Sequence, residues 1–154
     1  MQNPSSIGII IKDFHPSQLI YYSVKYANLL VNQGGEYDIT FFYEQLSPIS
    51  IKPSCAIMNI SEIWSFTGTL IATNLESALL LTKVISSANK IFYVWDLEWL
   101  RQYKNYLYNI QVYLSNELKL VARSIDHAKA INKYCNRNVN AVIPNCQLVE
   151  FLNV

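Results

Sequence analysis

Apolar residues along this chain come in two rhythms, and the alternation between them predicts the architecture. Ile7-Gly8-Ile9-Ile10-Ile11 is an almost unbroken β-branched run, the pattern required of a strand covered by helices on both faces. A polar turn follows, Lys12-Asp13-Phe14-His15-Pro16, and Ser17 can cap a helix. In that helix Ile20, Val24, Ala27 and Val31 form one stripe, with Tyr21, Lys25, Asn28 and Asn32 forming the other. Gly34-Gly35 stops it.

Further apolar runs at 38–43, around 55–58 and at 68–72, 91–95, 118–122 and 140–143 read as strands. Helical spacing separates the later ones. Thr73-Asn74-Leu75-Glu76 has the Thr-x-x-Glu form of a capping box and opens a helix running to about Ser86. Leu100, Tyr103, Leu107 and Ile110 recur at helical intervals, and Ser124 caps a helix whose buried stripe is Ile125, Ala128, Ile131 and Cys135. Strands alternating with helices predict an α/β fold: an open, mainly parallel, Rossmann-like sheet with helices on both faces, α/β/α in three layers. Residues 1–146 make one domain, and 147–154 read as a C-terminal tail.

Composition narrows the classes. The 154 residues are 51% apolar and 15% charged, which favours a well-filled core over disorder. A net charge of +1 with scattered Lys and Arg leaves no electrostatic footprint for nucleic acid. No run approaches the roughly 18 apolar residues of a membrane span, and Met1 to Ser6 lacks the regions of a signal peptide. The expected location is the cytoplasm, or a host's cytoplasm if the source is viral. The abundance of Asn, Ile, Lys and Tyr suggests an AT-rich phage or bacterial genome. Cys55, Cys135 and Cys146 have no metal-type spacing and read as reduced, mostly buried thiols. No metal site is expected.

Ligands of open α/β sheets bind beyond the carboxyl ends of the strands, so the segments after each apolar run hold the candidate chemistry. The first lacks the G-x-G-x-x-G turn of a dinucleotide site, and no P-loop or G-x-S-x-G nucleophile turn occurs. His15, two residues from Asp13, is either a base facing a cleft or part of a turn made by Pro16. Asp96 and Glu98 lie among Trp95, Trp99 and Arg101. They are sugar-hydroxyl binders and a general base, or they charge the start of the next helix while the tryptophans enter the core. Asn74 and Ser124 stand at helix starts, where they serve as caps or help hold an anion. Arg123 pairs with Asp96 or Glu98, or reaches a phosphate. Helical spacing puts Tyr22, Tyr26 and Tyr103 at the rims of buried stripes, and Tyr106 and Tyr108 on an exposed face.

Leu120-Val121-Ala122-Arg123-Ser124, a helix to Tyr134, and then Val142-Ile143-Pro144-Asn145 followed by Glu150-Phe151 resemble the end of the N-terminal Rossmann-like domain of retaining, group 1-like glycosyltransferases of the GT-B fold. In that family a strand ends in Ser at a helix start, and a later strand ends in Pro-Asn-Gly before an acidic residue and a Phe. Here Cys146 replaces the glycine. The resemblance implies an acceptor-side domain, and in such a domain the strand-end candidates take their roles as His15 and Asp96 catalytic and Asp13, Asn74, Glu98, Trp99, Arg123 and Ser124 binding substrate. It also implies that sugar transfer needs a donor-binding second domain or partner chain, which would bring the nucleotide-sugar donor; no cofactor is expected within this chain. The alternative is a non-catalytic binding or interaction module that keeps the fold and self-associates as a homodimer.

Overall fold

The computed structural model describes residues 5–34, 36–85, 88–101 and 103–154. Two expected helix-stop positions, Gly35 and Ser86, and the first four residues lie outside them.

Among the described residues seven strands form one sheet: β1 (Ser5–Ile11), β2 (Tyr37–Tyr43), β3 (Ala56–Asn59), β4 (Thr69–Ala72), β5 (Asn89–Val94), β6 (Lys119–Ala122) and β7 (Ala141–Val142). Their spatial order is β3-β2-β1-β4-β5-β6-β7, and every neighbouring pair is parallel. The α/β class and the parallel, Rossmann-like sheet follow. The unbroken run Ile9-Ile10-Ile11 is wholly buried because β1 lies mid-sheet with β2 on one side and β4 on the other.

Residues alternate between the faces. On one, Ile7, Ile9, Phe41, Ile71, Ile91, Tyr93 and Val121 pack under helix α1 (Gln18–Asn32). On the other, Ile10, Phe42, Leu70, Phe92, Val94 and Leu120 meet α2 (Leu75–Lys83), α3 (Tyr106–Leu114) and α4 (Ile125–Cys135). Right-handed crossovers require this division. The chain moves from β1 to β2 in one direction along the sheet and from β4 onward in the other, so the connecting helices fall on opposite faces. Gly8 allows the close packing near the centre, since a Cβ there would lie 2.7 Å from a Leu70 methyl carbon.

Several local expectations shift. The Ser17 hydroxyl accepts the Ile20 N–H at 3.2 Å as expected of a cap, but the buried stripe of α1 passes through Leu30 instead of Val31. The capping box of α2 is made by Asn74 and Ser77, one place later than Thr73 and Glu76. Thr73 is committed elsewhere, its hydroxyl donating to the Ile10 carbonyl at 2.7 Å. Between 98 and 105 the chain forms two short 3-10 turns, and this resets the phase of α3. Its buried face is Asn109, Val112 and Tyr113, leaving Leu107 77% exposed. In α4, Ile131 and Cys135 are buried and Ile125 faces out. Residues 147–154, expected as a tail, lie against the domain as a 3-10 segment (Leu148–Asn153). Leu148 and Phe151 complete the core on the α1 face, with Phe151 edge-on to Tyr93 at 5.0 Å.

No helix joins β2 to β3. The loop 44–55 is pinned instead by Asn28, whose amide donates to the Lys52 carbonyl at 3.1 Å and accepts the Ser54 N–H at 2.7 Å.

Candidate functional site

The sheet reverses its winding between β1 and β4, and in this fold class the crevice beyond such a reversal is where ligands bind. A pocket of about 380 Å³ opens there, at the carboxyl ends of β1, β4 and β5. Asp13, His15, Asn74, Asp96 and Glu98 all line it, so five of the eight candidates from the sequence converge on one cavity. Lys12, Trp95 and Arg101 line it as well.

The loop after β1 is anchored at Phe14, which is buried edge-on against Phe41 at 5.8 Å while its N–H donates to the Ser47 hydroxyl at 2.8 Å. Beside that anchor the Asp13 carboxylate accepts the His15 main-chain N–H at 2.9 Å and lies 3.1 Å from its Nδ1. The imidazole is therefore oriented by a carboxylate while remaining 69% exposed. A histidine fixed through Nδ1 leaves Nε2 to face a ligand.

Glu98 stands in the first turn of its own short 3-10 segment, as one reading of the sequence has it, but makes no cap bond there. It reaches across to α2, where Oε1 accepts the Leu75 N–H at 2.8 Å, one of the donors a helix start leaves unpaired. Burial nevertheless raises its pKa; the Leu75 bond opposes that, and Asp96 and Glu76 add to it. Glu44 is likewise raised by burial and then by Glu76, against an Asn74 side-chain hydrogen bond. Asn74 thus caps α2 and contacts this acidic group.

The remaining three candidates lie elsewhere. Trp99 is a core residue, 2% exposed and edge-on to Tyr113 at 4.7 Å, and it is not available to a ligand. Trp95, which was not among the eight candidates, stands at the pocket wall instead. Period-two alternation carried one residue past β5 gives this result, because Trp95 has the parity of Ile91 and Tyr93 and so belongs to the α1 face. Arg123 forms no ion pair with Asp96 or Glu98 among the described residues; its guanidinium lies 4.8 Å from the centre of the Trp95 ring, a cation-π contact. Ser124 caps α4, accepting the His127 N–H at 3.2 Å. Burial lowers the His127 pKa, with Arg123 adding to the effect, against a hydrogen bond to Val94.

At the end of β7 the Tyr93 hydroxyl donates to the Ile143 carbonyl at 2.7 Å and accepts the Cys146 N–H at 3.1 Å. This holds a turn in which Asn145 and Cys146 both have φ 55°.

Among the described residues no cluster of His, Cys, Asp or Glu is arranged to hold a metal ion, and no helix is long and apolar enough to cross a membrane. Comparison with protein-family models, curated proteins and solved structures gives no match.

Proposed function

We propose that the chain is the acceptor-side domain of a glycosyltransferase-like enzyme, and that the pocket beyond β1, β4 and β5 binds a polyhydroxylated acceptor. The observation that carries this reading is the joint lining of one open cavity by the His15–Asp13 pair, the carboxylates Asp96 and Glu98, and the half-buried ring of Trp95. Carboxylates accept hydrogen bonds from sugar hydroxyls, and an aromatic face covers the apolar face of a pyranose. With Nδ1 turned towards the Asp13 carboxylate at 3.1 Å, the Nε2 of His15 is the atom placed to receive the proton of an acceptor hydroxyl. The oxygen so activated attacks the anomeric carbon of a nucleotide sugar as the nucleoside diphosphate leaves. In this reading that donor is held by a second domain or chain.

A second observation supports the likeness to GT-B enzymes. Where that family has the glycine of Pro-Asn-Gly, Cys146 has φ 55°, a left-handed conformation that glycine adopts at no steric cost.

The test is a titration of isotopically labelled protein with methyl glycosides, followed by amide chemical shifts. Saturable shifts at Asp13, His15 and Asp96, weakened at least ten-fold by Asp96→Asn, are expected. An absence of shifts up to high millimolar sugar would sink the reading.

A further inference from the structure

Two side cavities share lining residues with the central pocket, and they differ in chemistry. One, of about 240 Å³, shares Lys12, Asn74 and Glu98 with it and continues its polar character through Glu76. The other, of about 360 Å³, shares Pro16, Ser17 and Ile20 and continues past Tyr21, Tyr22 and Ile51. Among the described residues that line this second cavity none is charged. It is therefore an apolar annex beside a charged chamber, the two sharing the wall at Pro16, Ser17 and Ile20.

Its aromatic wall is continuous with the central one. Tyr21 meets Tyr22 edge-on at 5.3 Å, Tyr22 lies 6.5 Å from Trp95, and Arg123 closes the series over the Trp95 ring. Tyr21, the outermost ring, is 47% exposed. The facing wall, Ser50 and Ile51, belongs to the loop that replaces a β2–β3 helix. Two Asn28 hydrogen bonds hold that loop against α1. An annex walled by a fixed loop and a helix face, with edge-on rings along one side, suits a flat apolar group.

We propose that this annex is the subsite for an aromatic or similarly flat apolar group carried by the acceptor whose sugar occupies the central pocket. Tyr21 and Tyr22 then determine specificity, selecting aryl-substituted over plain glycosides. The inference rests on the central pocket being a sugar site.

The experiment compares methyl and phenyl β-D-glucopyranosides, with the matching galactosides, by amide shift titration of the full chain. The phenyl member of the better-bound pair should bind about ten-fold tighter than the methyl member, the gain expected of one good ring contact. Tyr21→Ala, an exposed change that spares the core, should bring the two within about two-fold and leave the methyl glycoside's affinity unaltered. Equal affinities in the wild-type protein overturn this inference alone. So does a phenyl advantage that survives both Tyr21→Ala and Tyr22→Leu. If neither glycoside perturbs Asp13, His15 and Asp96, the reading of the central pocket fails and this one falls with it.

Discussion

Glu98 is a carboxylate held where burial disfavours its charge, and two substitutions separate its roles. Its folded pKa lies above the ordinary 4.5 because desolvation outweighs the Leu75 hydrogen bond. Between those two values the folded chain holds more protons than the unfolded chain, so stability falls as pH rises through the window, and ionised Glu98 is a net cost above it. Glu98→Gln keeps an oxygen to accept the Leu75 N–H and removes the charge. Its melting temperature should exceed that of the wild type at pH 7.5, and the difference should shrink towards pH 4. Glu98→Ala leaves that N–H without its acceptor at the start of α2, a loss of about 1–3 kcal/mol. For a chain of this length that is roughly 2–10 °C in melting temperature below the glutamine variant, at either pH. Thermal unfolding followed by circular dichroism from pH 4 to 8 reads both effects. A Glu98→Gln variant less stable than the wild type at pH 7.5 would show that the helix start stabilises the ion more than burial opposes it, and would refute the reasoning.

Three other outcomes are expected. Arg137 donates to the carbonyls of Tyr113, Ser115 and Leu118, tying the end of α3 to the start of β6; Arg137→Met should cost about 2–4 kcal/mol in urea unfolding, and a loss under about 1 kcal/mol would contradict it. Trp99→Ala should destabilise by about 3–5 kcal/mol as a core truncation, whereas Trp95→Ala, at a partly exposed ring, should cost measurably less and abolish glycoside shifts. Burial pushes the Cys135 thiol to about 11 and that of Cys146 to about 12, so at pH 8 neither should react with a disulfide reagent until denaturant is added; prompt modification of both in native protein would be inconsistent with their placement.

How much of this was legible depended on which interactions are local. The buried strands were readable because burial on both faces leaves only one kind of residue, as in Ile7 to Ile11 and Ile91 to Val94. Ser17 and Ser124 were readable as caps because a cap bonds a donor three residues away. Thr73 misled because its hydroxyl is claimed by Ile10, 63 residues away in sequence, leaving the cap to Asn74. No local pattern records such a contact. The phase of α3 was lost because the 3-10 turns at 98–100 and 103–105 interrupt the 3.6-residue period. The site candidates came together because fold class alone directs attention to strand ends, but the choice between Trp95 and Trp99 needed the side of the sheet. Arg123 was sought beside an acid and was found over a ring, a contact between neighbouring strand ends that charge patterning does not reveal.

The closing of the α1-face core by Leu148 and Phe151 has a consequence for synthesis. Tyr93 waits for a ring 58 positions later in the chain, and its hydroxyl waits for the turn at Cys146. A ribosome-bound chain that has already released β1 to β6 therefore carries an open apolar face under α1 until residues 148–151 emerge. On that account the opposite face, whose buried residues apart from Ile10 and Phe42 come from the neighbouring segments 63–135, is the one able to consolidate during translation. Folding on the α1 side therefore lags behind the opposite face, and this lag is the interval in which the nascent protein is most exposed to aggregation or to capture by a chaperone.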